Sequence, residues 1–432
     1  MMILIPRITK RYLFYLYSQR WIREQLVDYQ DKKLRHLIRY AGKYVPYYRK
    51  LFKSINFDPE KFRGSVDMNK IPLLDKEIVR THKNEFISDI ARKFVYHWES
   101  TSGTSGTPLH LIVDNSTEAN KIAALLRCFK WAGYTIGKKA FSLQSYYLKD
   151  KVWEFKRFYN VLRFDSVKLG KDSAVKVIKQ INVLKPKFFM GFPFDLLILS
   201  QFAAEEGLSI HTPDSIVAYG ETLSKSKKDL LESAYGCKVF NFYSLHESNA
   251  MIAECEHRNL HLIDDFAFHE IVDEKGNDTL KKGEGELIAT GLYNYVMPLI
   301  RYKTRDRLIL ENEKISCKCG RNFRIVKEII GKQCDYIETP DGRLLGSVMS
   351  HSIDNAKGVV CSQCIQDTID HLYINIVIDD TFNDDSQKAL EEGLRKRIGN
   401  EMKLDFKVVT QLEKSEGGKT PFIMSKIGNK YI

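Results

Sequence analysis

The sequence predicts an α/β protein in two parts, a large N-terminal part over residues 1–330 and a small α+β part over residues 331–432. Three observations carry this expectation. From the segment "KPKFFMGFP" to "CKVFNFYSLHE", short apolar runs alternate with helical periodicity, the pattern of parallel strands joined by helical crossovers. From Gly331 the texture changes to an alternating strand, a helix and a further strand, within a normal small-domain length. At 432 residues, 44% hydrophobic and 28% charged, the chain can bury full cores in two or three domains and does not have a disordered composition.

In chain order, "MMILIPRITKRYLFYLYSQRW" is apolar in bursts broken by Pro6 and arginines. It lacks the continuous apolar core and cleavage site of a signal peptide, and reads as a helix packed on its own domain. "LRHLIRYAGKYVPYY" places Leu34, Leu37, Ile38 and Ala41 at i, i+3, i+4 and i+7, an amphipathic helix stopped before Pro46. "STEANKIAALLRCFKWAGY" reads as a helix ending near Gly133. "KPKFFMGFP" is a buried strand entering a turn, and "DLLILSQFAAEEGL" the helix after it, closed by Gly207. "SIVAYGE", "KKDLLESAYG" and "CKVFNFYSLHE" follow as strand, helix, strand. "GEGELIATGLYNYVMPLIRYKTRDRLIL" is a strand and a loop leading to Arg301, Tyr302, Thr304 and Asp306. Beyond "IIGKQCDYIE", the alternation in "LYINIVID" turns Leu372, Ile374, Ile376 and Ile378 to one face. A helix through Leu390, Leu394 and Ile398 comes next, then a strand around "DFKVV". There is no internal repeat.

The net charge of +12 favours anionic partners, but the lysines and arginines are spread along the chain, so no basic stripe marks a nucleic-acid binder. No run of 18 apolar residues offers a transmembrane segment. Eight cysteines at irregular spacing point to a reducing, cytoplasmic compartment. Oligomeric state is not legible, a homodimer being a common outcome for soluble enzymes.

Four segments carry candidate chemistry. In "ESTSGTSGTPLHL", hydroxyls and glycines alternate, which suits either a mobile linker or a cradle of backbone N–H groups for phosphate. Gly106 is followed by Thr107 and Pro108 rather than by lysine, so this is not the loop of a P-loop NTPase. "AYGE" (Ala218 to Glu221) and "NFYSLHES" (Asn241 to Ser248) each place an aromatic and a carboxylate at the C-terminal end of a strand, where open α/β sheets bind ligands. "EKSEGGKTPF" sets Lys419 behind two glycines.

Taken in order, these segments resemble the adenylate-forming superfamily of acyl-CoA synthetases and ligases, and more narrowly its phenylacetate–CoA ligase branch, which includes proteins of capsular polysaccharide clusters. "VPYYRKLF", "IPLLDKEIVRTHKNEFIS", "KPKFFMGFP" and "MPLIRYKTRD" extend the similarity over nearly the whole chain. The resemblance implies an N-terminal adenylation domain and a mobile C-terminal domain. It implies a two-step reaction: a carboxylate is activated by ATP as acyl-adenylate with release of pyrophosphate, and the acyl group then passes to CoA. Thr101, Ser102, Gly103, Thr104, Ser105, Gly106 and Thr107 would cradle the β- and γ-phosphates, and Glu247 would hold Mg2+. Tyr243 would stack on adenine, with Gly220, Glu221 and Ser244 lining the same pocket. Asp306 would accept from both ribose hydroxyls, Lys332 would lie at the hinge beside the nucleotide, and Lys419 would reach the α-phosphate after the small domain swings in.

The chain departs from the branch's pattern at several positions. In "YSLHE", Ser244 and His246 replace a glycine and a threonine, and His246 is expected to hydrogen-bond the adenylate phosphate in the threonine's place. Arg305 stands where glycine is usual, Lys332 replaces an arginine, and Cys334 replaces the hinge carboxylate. These changes open two alternatives: transfer of the acyl group to an amine or hydroxyl of a surface-polysaccharide precursor, or nucleotide binding without catalysis.

Cys255, His257, His261, Cys317 and Cys319 supply soft and imidazole ligands in two clusters, and a structural zinc wants four such ligands. The branch's similar set implies Cys255, His261, Cys317 and Cys319, with His257 in reserve. "CSQC" (Cys361, Cys364) has metal-like spacing but falls in an expected strand, whose alternation sends the two side chains to opposite faces.

Overall fold

The computed structural model describes residues 4–101, 109–144, 146, 148, 151–221, 223–273, 281–313, 315–330, 337–345, 353, 356–410, 412–413 and 422–427. The chain opens with helices α1 (Ile5–Ser18), α2 (Arg23–Tyr44), α3 (Pro46–Ser54) and α4 (Lys76–Thr81). Pro6 lies in the first turn of α1, where its missing N–H costs nothing, and Pro46 stops α2 at Val45 and opens α3. Leu34, Leu37, Ile38 and Ala41 are all buried, as their spacing predicts.

A hairpin of β1 (Tyr96–Thr101) and β2 (Leu109–Asp114) precedes α5 (Asn115–Trp131), whose first turn is capped by Asp114. The central region then runs β3 (Ala140–Gln144), β4 (Trp153–Lys156), β5 (Val161–Asp165), α6 (Lys171–Leu184), β6 (Phe188–Gly191), α7 (Pro193–Glu205), β7 (Ser215–Tyr219), α8 (Lys225–Tyr235) and β8 (Lys238–Ser244). It continues with β9 (Met251–Glu254), β10 (Leu260–Leu262), β11 (Ala267–Val272), β12 (Gly283–Gly291), β13 (Tyr302–Leu310) and β14 (Ile325–Ile329). Among the described residues these strands form one 12-stranded sheet in the order β11-β12-β13-β14-β10-β9-β8-β7-β6-β3-β5-β4. The run β8-β7-β6-β3-β5 is parallel, as the strand–helix alternation predicts, and antiparallel pairs flank it on both sides.

One core, with Leu34, Ile38, Phe129, Phe188 and Phe242, joins the N-terminal helices and α5 to one face of this sheet. A second, with Phe141, Leu143, Ile178, Leu199 and Ile216, joins the other face to α6 and α7. α1 packs on its own domain, as expected, lying on α5 through buried Tyr15 and the fully buried Arg127, which makes two hydrogen bonds to Asp265 at 2.9 and 3.0 Å.

Downstream lie β15 (Ile337–Glu338), β16 (Leu344–Leu345), β17 (Val359–Thr368), β18 (His371–Ile378), α9 (Asp384–Ile398), β19 (Lys403–Val408) and β20 (Ile423–Ser425). β19-β18-β17-β20 form a four-stranded sheet. Leu372, Ile374 and Ile376 alternate onto Leu390, Leu394 and Ile398 of α9 in a core of their own. Cys361 and Cys364 lie within β17, the strand expected for "CSQC". Among the described residues, no helix is long and apolar enough to cross a membrane.

Asp264 and His269 make stability depend on pH. Burial pushes the Asp264 carboxyl up, but Arg324 and Arg23 more than reverse this and hold it well below the usual carboxylate range. His269, with Nδ1 3.4 Å from Asp264 Oδ1, is pushed down by burial. In both cases the unfolded chain protonates first on acidification. Stability is therefore lost as pH falls below ~6.5 for the histidine, and again below ~3.9 for the aspartate. The thermal midpoint is expected to fall between pH 7 and 5, and His269→Gln to flatten that slope; an unchanged slope would remove His269 from the account.

Candidate active site

β7 and β8 are adjacent and parallel, so their C-terminal ends open on one crevice. After Tyr219 the chain turns through Gly220, at φ +82°, to Glu221, whose carboxylate accepts from the Phe194 N–H at 3.3 Å. A Cβ at Gly220 would overlap the Phe192 ring, and its φ is one that side chains rarely adopt. Gly220→Ala is expected to destabilise the fold by about 1–3 kcal/mol, seen as a lower urea midpoint with unchanged m.

β8 carries Tyr243 and Ser244, and the turn beyond it presents His246 and Glu247. The Tyr243 hydroxyl donates to Asp306 Oδ2 at 2.8 Å, which ties the end of β8 to β13. The β12–β13 pairing shifts register opposite this point, and Arg305 sits there at φ +62°. That left-handed backbone explains why a glycine suits position 305. Here the arginine adopts it and anchors its guanidinium on Asp75 at 2.9 Å. Glu247 Oε1 accepts from the Tyr302 hydroxyl at 3.2 Å. Both tyrosines are pushed up, by burial first and then by the neighbouring carboxylates Asp306 and Glu247, so both remain donors at neutral pH.

Lys121, on α5, reaches the same turn and donates to the His246 carbonyl at 3.2 Å. Burial pushes its amine down, while Glu99, Glu247 and Glu118 oppose that shift. The His246 side chain is pushed down, by desolvation and then by Lys121, although the residue lies at the exposed rim of the crevice. The structure thus brings Gly220, Glu221, Tyr243, Ser244, His246, Glu247 and Asp306 to one crevice. Sequence reasoning missed Lys121 and Glu99 and assigned no role to Tyr302. Beyond Glu118 on its own helix, nothing local distinguishes Lys121 from a solvated helix lysine, since Glu99 and Glu247 come from β1 and the loop after β8. Thr101 ends β1; Ser102, Gly103, Thr104, Ser105, Gly106, Thr107, Lys332, Cys334 and Lys419 lie outside the described residues.

The second cluster lies beyond β9. Cys255, His261, Cys317 and Cys319 are all buried, with their ligand atoms within 4.8 Å of one another. Cys255 Sγ and Cys317 Sγ are 3.6 Å apart, and Cys319 Sγ and His261 Nε2 are 3.5 Å apart. A tetrahedral zinc with ordinary bond lengths has S···S edges of roughly 3.8 Å and S···N edges of roughly 3.6 Å, so these residues fit that ion. His261 Nδ1 lies 3.4 Å from the Phe323 carbonyl, which orients Nε2 into the cluster, and Asn259 Nδ2 donates to Cys317 Sγ at 3.2 Å. His257, the reserve candidate, lies in the turn between β9 and β10, where it is exposed to solvent and outside the cluster.

Residues 337–426 match the CapK C-terminal domain family. Protein CapK of Staphylococcus aureus is 25% identical over 433 aligned residues, covering 97% of this chain and 94% of that protein. The phenylacetate-coenzyme A ligase of Thermus thermophilus is 26% identical over 327 residues, covering 73% and 72%. In fold, the chain is similar to 2-hydroxyisobutyryl-CoA ligase crystallised with 2-HIB-AMP and CoA in the thioesterification state, with a TM-score of 0.66, 16% identity and coverage of 95% and 92%.

Proposed function

We propose that the chain is an adenylate-forming enzyme of the phenylacetate–CoA ligase-like branch that includes CapK, and that it activates a carboxylic acid with ATP and passes the acyl group to CoA. In the first step a carboxylate oxygen attacks the α-phosphorus and the bond to pyrophosphate breaks. In the second, a thiolate attacks the acyl carbon and AMP leaves.

The observation that supports this reading is the pair of tyrosine-held carboxylates in one crevice, Asp306 under Tyr243 and Glu247 under Tyr302. Asp306 Oδ1 and Oδ2 would receive the ribose hydroxyls, with the adenine against the Tyr243 ring. Glu247 would hold Mg2+, which when bound neutralises charge gathering on the phosphates. Residues 101–107 would cradle those phosphates, and Lys419 would close on the α-phosphate. His246, neutral at pH 7 by the direction of its shift, would donate to the same phosphate in the threonine's place. The Cys255–His261–Cys317–Cys319 cluster would hold a structural zinc, away from the reaction.

Acid-dependent ATP–pyrophosphate exchange tests the adenylation. AMP release that requires CoA supports CoA as the acceptor, and release indifferent to CoA moves the acceptor to an amine or hydroxyl. ATP binding with no exchange for any acid would leave a nucleotide-binding protein without catalysis.

A further inference from the structure

α1 turns one face to its own domain and the other to solvent. Tyr15 and Ser18 are buried, while Leu13 and Tyr17, one turn apart on the opposite side, are 60% and 67% exposed. Ile5 and Pro6 continue the outward side toward the start of the helix, and Ile22, just beyond its end, is 55% exposed. The Tyr17 ring meets the edge of Trp21 at 5.9 Å between centroids, so the apolar patch runs on past the last turn. Exposed apolar side chains scattered singly need no explanation, but α1 differs from the helix beside it in sequence. Every exposed residue of α2 is polar, as Glu24, Asp28, Lys32 and Arg39 illustrate.

The second observation is charge. Residues 1–23 hold five lysines and arginines and no aspartate or glutamate, so they supply five of the net +12 charges. Among the described residues, only Arg23 of the five pairs with a carboxylate, Asp264. Arg11 lies over the Tyr293 ring and Arg20 donates to the Cys319 carbonyl. Arg7 and Lys10 are exposed, Lys10 three residues before Leu13 and Arg7 three before that, along one flank of the apolar side.

A face of this kind matches two layers of a lipid surface at once. The acyl boundary takes the leucine, isoleucine and tyrosine side chains, and anionic headgroups meet the cations, whose long stems reach up to them. Tyrosine and tryptophan suit that depth, with apolar rings and polar atoms that stay wet. At 14 residues α1 is too short to span a bilayer, so it would lie in the plane of the surface. A second copy of the chain fits this face less well, because a two-fold contact would bring Arg7 and Lys10 of both copies together. We propose that the outward face of α1, through Leu13, Tyr17, Ile22, Arg7 and Lys10, docks the protein peripherally on an anionic lipid surface. The proposal stands independently of the adenylation reading, since none of these residues takes part in the crevice.

The test is sedimentation of the full chain with vesicles of phosphatidylcholine, either alone or mixed equally with phosphatidylglycerol. Binding to the mixed vesicles is expected to be at least about tenfold tighter, and to weaken as salt rises. Leu13→Ser combined with Tyr17→Ser is expected to weaken it at least about tenfold. Both side chains already face water in the free chain, so the thermal midpoint is expected to hold, which separates this loss from misfolding. Arg7→Glu combined with Lys10→Glu is expected to erase the preference for phosphatidylglycerol. Equal binding to both vesicles, binding to neither, or binding that the serine substitutions leave unchanged would overturn the proposal. So would a dimer in lipid-free buffer that the same serine substitutions dissociate, which would assign the face to a second copy.

Discussion

Cys317→Ser is expected to release the metal from the Cys255–His261–Cys317–Cys319 cluster and to lower the thermal midpoint by several degrees, since several kcal/mol are at stake and each moves a chain of this size by about 1 °C. The effect is large because the cluster joins distant segments. Cys255 lies in the turn just after β9 and His261 on β10, whereas Cys317 and Cys319 arrive from the stretch before β14. Around them, the Arg321 guanidinium stacks on Trp131 of α5 at 4.2 Å and pairs with Glu256 at 2.8 Å, while Arg20 donates to the Cys319 carbonyl at 3.4 Å. Loss of the ion therefore loosens the seam between the antiparallel half of the sheet and the α1–α5 pair. Without a metal the thiols must share protons: a hydrogen bond from Cys255 holds Cys319 well below the usual thiol range, and Cys255 rises in turn. Elemental analysis of purified protein should find zinc near one per chain. Purified protein that holds no zinc, or a Cys317→Ser midpoint equal to that of the zinc-loaded chain, would refute this.

Lys419→Ala is expected to reduce carboxylate-dependent pyrophosphate release by at least about 10³-fold, while ATP binding persists. Two anions must approach for the carboxylate to reach the α-phosphorus, and the Lys419 ammonium is the group proposed to offset their repulsion at the point of attack. Glu247→Gln attacks the same step from the metal side. It removes charge from the carboxylate that Tyr302 orients, so it is expected to act through loss of Mg2+ dependence rather than of ATP affinity. Full retention of exchange in Lys419→Ala rules out its assigned role.

Local pattern carried most of the architecture. The i, i+3, i+4 spacing of Leu34, Leu37 and Ile38, the prolines at 6 and 46, and the alternation through Leu372, Ile374 and Ile376 each rest on contacts within a single element. The candidate site was legible in its carboxylates, because Glu221 and Glu247 lie within a few residues of strand ends. Lys121 and Glu99 were not legible, since a lysine on a helix and a glutamate on a hairpin acquire meaning only where α5 and β1 meet the loop after β8.

Periodicity and turn residues therefore give the element sequence and the parallel run, both properties of neighbouring residues. Folding adds two things: the Tyr243–Asp306 link across 63 positions and the closure of four metal-binding side chains contributed by two segments. The first depends on the register of β8 and β13 in one sheet, where a one-residue slip would turn a side chain to the opposite face, and the second on the turns beyond β9 and before β14 that bring distant segments together.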